Sequence, residues 1–194
     1  MRAAAGELNL AALMKATRMI GPGLRDGIWV QGCRIGCAGC ANQSYLAHEP
    51  RVRMPIGRLV GHFWMRQGMI DGISVLGGEP TEQPAAVAAL LRGVQSLGMT
   101  TVVFSGRTHE QLLRDPTCVE LLAHTDLLID GPYVAALRDP SLHWRGSRNQ
   151  RLLRLSDRFT EADLEPPRAN GEILLSVGKI LFHGIGTQRL VQSE

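Results

Sequence analysis

Three cysteines fall within eight residues, in the run Gly32-Cys33-Arg34-Ile35-Gly36-Cys37-Ala38-Gly39-Cys40, and the fourth, Cys118, stands alone. A secreted disulfide framework spreads an even set of cysteines along the chain. Three clustered thiols and one distant thiol point instead to a metal site in a reducing compartment. Thiolates this close are not buried together without a cation to share, and three of them reach one iron–sulfur cluster from a single glycine-rich loop. A zinc site wants four ligands, usually from paired C-x2-C. The fourth would have to be Cys118 or one of six scattered histidines, none locally placed. Three structural cysteines, or an ill-matched zinc site, are the plain alternatives. Three ligands on a four-iron cluster leave one iron open, which is a site for chemistry as well as electron storage. Glycines at 32, 36 and 39 let the backbone curl around such a group without Cβ clashes.

The elements that must position this loop follow from hydrophobic patterning. Gly27–Gln31 reads as a strand that opens directly onto the cysteines. Pro55–Gln67 reads as a helix, with Leu59, Val60, Phe63 and Trp64 at helical spacing. Ile70–Leu76 is a strand closed by Gly77-Gly78, and Gln83–Leu97 a helix stopped by Gly98. Thr100–Phe104 is a β-branched strand ending at Ser105-Gly106. Short helices at Thr108–Arg114 and Thr117–His124 precede a strand at Asp126–Asp130 that ends at Gly131-Pro132. This alternation implies an α/β fold with a mostly parallel sheet. Ligands of such sheets collect at the carboxyl ends of the strands, so loops 32–42, 77–80, 105–108 and 130–133 share one rim. After Arg145 the pattern weakens. Arg151–Leu155, Glu172–Ser176 and Lys179–His183 fit strands, the last after a turn at Val177-Gly178, and Asp157–Gly171 reads as a surface loop.

Composition narrows the class. A chain of 194 residues, 44% hydrophobic and 20% charged, is an ordinary soluble globular domain. A net charge of +3 is too small to make nucleic acid or an anionic membrane the default partner. Aromatics at 5% work against single-strand stacking platforms. The longest apolar run, Pro84–Leu91, has eight residues, against the roughly 18 a transmembrane helix needs. No signal peptide is read at the N-terminus, so the expected location is cytoplasmic.

The other rim loops carry polar groups of their own. Gly77-Gly78-Glu79-Pro80 offers freed backbone groups and a carboxylate, a fitting seat for an ammonium group, or else a tight strand-to-helix turn. Ser105 in Ser105-Gly106-Arg107-Thr108 has a hydroxyl for a ligand, although Ser105 or Thr108 equally suits an N-cap for 109–114. Asp130-Gly131-Pro132-Tyr133 ends the next strand, and Trp144-Arg145-Gly146-Ser147-Arg148-Asn149-Gln150 supplies donors and acceptors for a polar ligand or for a hydrogen-bonded closing loop. Cys118, at helical spacing with Leu121 and Leu122, reads as a core residue. Met14, Met19, Met54, Met65, Met69 and Met99 read as core filler. The run Arg145, Arg148, Arg151 and Arg154 reads as a solvated basic face.

With these motifs in hand, the chain resembles the radical S-adenosylmethionine (radical SAM) superfamily, whose hallmark is C-x3-C-x2-C after a first strand. Gly21-Pro22-Gly23-Leu24-Arg25, Trp29-Val30-Gln31-Gly32-Cys33, Gly39-Cys40-Ala41-Asn42 and the 144–150 run more particularly resemble the activating proteins of glycyl radical enzymes, including activators of anaerobic ribonucleoside-triphosphate reductase. The resemblance implies an incomplete (β/α) barrel in a single domain, with a core at about 21–150 and a C-terminal extension over 151–194. It implies a [4Fe-4S] cluster on Cys33, Cys37 and Cys40, with SAM on the open iron. Gly77, Gly78 and Glu79 would hold the methionine amino group, Ser105 the ribose or carboxylate, and Asp130 and Asn149 would be further cofactor contacts. Cys118 is then not the missing ligand. The implied activity is reductive cleavage of SAM to a 5′-deoxyadenosyl radical that abstracts a glycine hydrogen from a protein substrate. A flavodoxin- or ferredoxin-like donor would supply the electron. The same chemistry on another protein, peptide or small molecule is the alternative, and a non-catalytic metal-stabilised binding module a remote one. The chain departs from the family pattern at Ala41, at Leu76-Gly77-Gly78-Glu79 where the reductase activators carry S-G-G-D, and in the added 156–171 segment.

Overall fold

A parallel strand pair needs a crossover connection, and three helical connections supply three parallel pairs here. The computed structural model describes residues 6–165 and the strands 171–176, 179–184 and 187–191. In chain order the elements are β1 (Glu7–Thr17), β2 (Arg25–Val30), β3 (Val52–Pro55), α1 (Ile56–Trp64), β4 (Gly72–Gly77), α2 (Pro84–Ser96), β5 (Thr100–Ser105), α3 (His109–Leu113), α4 (Val119–Ala123), β6 (Leu127–Asp130) and β7 (Arg151–Arg154). They build one open seven-stranded sheet in the order β3-β1-β2-β4-β5-β6-β7.

The four central strands, β2, β4, β5 and β6, are parallel. The flanks are antiparallel: β1 pairs with β2 and β3, and β7 with β6. The fold is therefore mixed α/β, which corrects the expectation of a mostly parallel sheet. The reason is connectivity. The 18–24 link between β1 and β2 and the chain from β6 to β7 hold no α-helix, so those strands return antiparallel. β1 has no counterpart in the sequence reading. Leu8 and Leu10 alternate into the core around Asn9, but a bulge at Leu10/Ala12 breaks the period beyond them.

Helix patterning holds where one face is apolar. α1 buries Ile56, Leu59 and Phe63, and ends at Trp64, three residues short of the sequence expectation. α2 buries Val87, Leu90, Leu91 and Val94 and carries Pro84 in its first turn, where a missing N–H costs nothing. These helices and α4 pack on one sheet face through Ile28, Val30, Ile73, Val75, Val103 and Leu128. The other face is covered by Trp144 and Phe159 over Val102, Leu127 and Ile129. The 157–165 stretch, expected as a surface loop, is thus anchored by Phe159, which also lies 5.5 Å beneath the Arg25 guanidinium. Met65 and Met69, expected in the core, are exposed beyond the end of α1.

A separate antiparallel sheet has the order β10-β9-β8, from β8 (Gly171–Ser176), β9 (Lys179–Gly184) and β10 (Thr187–Val191). The first two match the strands read at 172–176 and 179–183, whereas the turn at Val177-Gly178 lies outside the described residues. No helix among the described residues is long and apolar enough to cross a membrane.

Candidate cluster site

The cysteine loop leaves the carboxyl end of β2 and is tied to its neighbours by backbone hydrogen bonds. Gly32 N–H donates to Tyr45 O (2.8 Å) and Cys33 N–H to Leu46 O (3.0 Å), while Glu79 N–H donates to Gly32 O (2.8 Å). Cys33, Cys37 and Cys40 are all free thiols of intermediate exposure. The Asn42 N–H approaches Cys40 Sγ at 3.4 Å. Burial pushes the Cys33 thiol up, with Glu79 and Cys37 adding to the shift, against the N–H groups of Ile35 and Gly36, which favour the thiolate. Gly32, Gly36 and Gly39 take φ values of +101°, +66° and +74°, the curl that a side chain would resist.

Three free thiols with backbone N–H groups directed at two of the sulfurs form a donor set that suits an iron–sulfur cluster, where such hydrogen bonds tune the metal. Among the described residues, no three His, Cys, Asp or Glu side chains are gathered as a single-ion site requires. Cys118 is not a local fourth ligand. It is fully buried in the helix-side core, 3.6 Å from Arg107 Nη1.

The Glu79 loop lies against the start of the cysteine loop because of two glycines. Gly77 has φ +112°, and a Cβ on Gly78 would stand 2.3 Å from the Gly32 carbonyl oxygen. Glu79 is 2% exposed. Its Oε1 accepts from Thr81 N–H (3.0 Å), Thr81 Oγ1 (2.8 Å) and Ser105 Oγ (2.9 Å), and its Oε2 accepts from Gly106 N–H (2.9 Å). Every one of these donors is neutral. Burial raises the Glu79 carboxyl above the usual range, and the four hydrogen bonds only oppose it.

Ser105, expected to face a ligand or cap a helix, is not the helix cap. Its hydroxyl donates to Glu79 and accepts the Arg107 N–H at 3.0 Å, and the cap is Thr108, in a capping box with Gln111. Thr81 escapes the sequence reading, although its signal is in the sequence. Glu79-Pro80-Thr81, Asp115-Pro116-Thr117 and Asp139-Pro140-Ser141 are three acid–Pro–Ser/Thr turns, and in each the acid accepts both the N–H and the hydroxyl of the third residue.

Asp130, expected as a further cofactor contact, is bonded by two neighbouring elements. It is fully buried, accepts the His109 N–H at 2.7 Å, and is ion-paired with Arg151, whose Nε lies 2.9 Å away. These bonds tie α3 and β7 to the sheet. Asn149 donates to Pro132 O at 2.7 Å and leaves its buried Oδ1 without a partner among the described residues. Around it the 144–150 run is stitched to 131–134. Val134 N–H donates to Ser147 Oγ (3.1 Å), Gly146 N–H to Gln150 Oε1 (2.7 Å) and Gln150 Nε2 to Gly131 O (3.1 Å). Two arginines of the basic run are spent too: Arg151 on Asp130 and Glu110, Arg154 on Glu161. The Tyr133 ring reaches the cysteine loop, 3.6 Å from the Cβ position of Gly39.

A cavity of about 950 Å³ opens beside these loops, lined by Gln31, Arg34, Ile35, Glu79, Thr81 and Arg107 among others. A second, of about 730 Å³, lies across Gly106 and Pro132. Both are of small-molecule size.

Residues 19–153 match the family model of the 4Fe-4S single cluster domain, and the chain belongs to that family. It is a radical SAM enzyme with a [4Fe-4S] cluster and SAM as cofactors. Among curated relatives, the anaerobic ribonucleoside-triphosphate reductase-activating protein of Vibrio cholerae is 32% identical over 145 residues, 70% of this chain and 91% of that protein. Its namesake in Escherichia coli K12 is 31% identical over 67% of this chain and 88% of its own length. The one from Enterobacteria phage T4 is 29% identical over 68% and 85%. Among solved structures, QueE from Escherichia coli aligns over 54% of either chain at 17% identity with a TM-score of 0.39.

Proposed function

We propose that this chain activates a glycyl radical enzyme, anaerobic ribonucleoside-triphosphate reductase being the target that its relatives' names support. When bound, a [4Fe-4S] cluster and SAM supply, on one-electron reduction by a flavodoxin- or ferredoxin-like donor, methionine and a 5′-deoxyadenosyl radical that takes a glycine hydrogen and leaves the radical on the partner. Cys33, Cys37 and Cys40 hold the metal from a loop whose side chains at 36, 38 and 39 are hydrogen or methyl, so a large partner can approach closely. Glu79, a buried carboxylate with only neutral hydrogen-bond partners, offers its charge to the ammonium group of SAM, while Gly77 and Gly78 keep the backbone within reach.

The observation that carries this reading is the junction of the two loops: Glu79 N–H bonds the residue before Cys33, and the Glu79 carboxylate bonds the end of the next strand. Cofactor seat and metal loop are thereby one rigid unit. The incomplete barrel of the superfamily corresponds, in this reading, to β2, β4, β5 and β6 with their helices. The test is anaerobic reconstitution followed by dithionite and SAM. The wild type is expected to form 5′-deoxyadenosine, and Cys37→Ala to form none above background while keeping its secondary structure. Turnover in Cys37→Ala equal to wild type would sink the reading. A glycyl radical signal on added reductase tests the target separately.

A further inference from the structure

The stem of the cysteine loop is held by a polar lattice that the proposed chemistry does not use. Gln83, immediately before α2, sends its carboxamide back across the strand ends. Its Oε1 accepts the Asn9 N–H (2.8 Å), and its Nε2 donates to the carbonyls of Asn9 (3.0 Å) and Gln31 (3.1 Å). One planar amide thus acts as an extra peptide unit between β1 and the exit of β2.

The lattice continues on both sides. Gln31 N–H donates to Asn9 O at 2.9 Å. The Gln31 side chain, on a residue 3% exposed, donates to Ala47 O at 2.6 Å. Ala47 belongs to the returning segment whose Tyr45 and Leu46 carbonyls accept the N–H groups of Gly32 and Cys33. Asn9 clamps the same segment further on, donating to Glu49 O (2.8 Å) and accepting from Arg51 N–H (2.9 Å). The hydrogen bonds at the other two cysteines are local ones: Cys40 N–H to Cys37 O (3.2 Å) and Asn42 N–H to Cys40 Sγ (3.4 Å).

We infer that Gln83 is a positioning residue for the metal loop: it locks the stem from which Cys33 projects, so that Cys33 is placed before any metal arrives and Cys37 and Cys40 close around it. The consequence for catalysis rests on the cluster reading above, whereas the placement is a property of the metal-free chain. That separation makes the inference testable by itself. In the metal-free full-length protein, the alkylation rates of Cys33, Cys37 and Cys40 with iodoacetamide are compared by mass spectrometry in wild type, Gln83→Met and Gln31→Leu, alongside thermal unfolding.

The expected result is selective. Both variants raise the Cys33 rate relative to Cys37 and Cys40 by about threefold or more, as local opening of the stem requires, with the melting transition retained. After reconstitution, the reduced cluster of Gln83→Met is expected to show shifted g-values at unchanged iron content. An unchanged ratio in both variants overturns the inference. So does an equal acceleration of all three cysteines, which is general loosening. If Gln83→Met does not fold, Gln31→Leu alone decides. Absence of 5′-deoxyadenosine in the wild type would remove the proposed function, and the alkylation ratio would still decide the role of Gln83.

Discussion

The two ends of the central sheet both bury polar side chains and treat them differently. At the amino end, two buried carboxylates are met by arginines, and a buried arginine is hydrogen-bonded by neutral acceptors. Asp26 takes a two-point pair from Arg66, at 3.0 and 2.8 Å. Asp126 is bonded by Thr101, Gln95, Ser156 and Arg158. Arg25, fully buried, gives its protons to the carbonyls of Pro22, Ile73 and Thr100 and to the hydroxyls of Ser74 and Thr100. At the carboxyl end, Asp130 is likewise paired, with Arg151, but Glu79 has four neutral donors and no cation on its carboxylate among the described residues, and three thiols stand free. The amino end is finished as a structure, whereas the carboxyl end keeps unspent charge where a cationic and a metallic ligand are proposed to sit.

Breaking the finished end carries the largest stability effect. Arg25→Ala strips donors from several buried carbonyls at once and opens a void over Phe159. It is expected to cost about 3 kcal/mol or more in denaturant unfolding, and a loss below about 1 kcal/mol would show that this end does not hold the sheet.

Gly78→Ala comes next and strikes the rim. Its Cβ meets the Gly32 carbonyl oxygen at 2.3 Å, backbone against backbone, so one loop must move. A cost of about 1–3 kcal/mol is expected, with iron uptake reduced. Full uptake with wild-type stability would show that the two loops are not rigidly joined.

Glu79→Gln then tests the charge itself. Because burial raises this carboxyl in the folded state, the native protein binds more protons than the unfolded chain above the ordinary value of 4.5. Ligand-free stability therefore falls as pH rises through that window, and Glu79→Gln is expected to flatten the slope. SAM affinity should drop by about tenfold or more, as loss of a charge-assisted bond implies. Parallel pH profiles in the two proteins would mean that Glu79 holds no unspent charge.

The smallest effect lies at the exposed edge of the β6–β7 corner. Glu110, paired with Arg151, is held down to about 2 from 4.5. Its contribution is present above 4.5 and lost as pH falls toward 2. Glu110→Gln should leave neutral-pH stability nearly unchanged, because Asp130 still holds Arg151, as carboxylate titration by NMR beside thermal unfolding would establish.

Much of this was legible locally. The β2, β4, β5 and β6 strands are short β-branched or apolar runs punctuated by glycine, and α2 is a strongly apolar helix with Pro at its start and Gly past its end, so propensity and burial agree. β1 was illegible because its alternation lasts only through Leu10 before the bulge, and its pairing partners lie elsewhere in the chain. The same limit applied to side chains. Ser105 and Asp130 end adjacent strands opposite one another, and both look available in sequence. The side chains they bond, Glu79 and Arg151, arrive from 26 and 21 residues away.

The sequence by itself determined the chemistry that the molecule can host: thiols at a spacing that one glycine-rich loop can turn toward a single cluster, a Gly-Gly-Glu turn after a strand, and a polar run near the end of the core. Those are short-range properties of residue type and backbone freedom. The tertiary structure alone decided which polar groups are spent and which are left. Hydrogen-bond partners are set by strand register and burial, and burial depends on the whole packed sheet. Only there does Glu79 become a desolvated carboxylate with neutral hydrogen-bond partners, Asp130 the partner of Arg151, and Gln83 the brace of a loop some fifty residues before it in the chain.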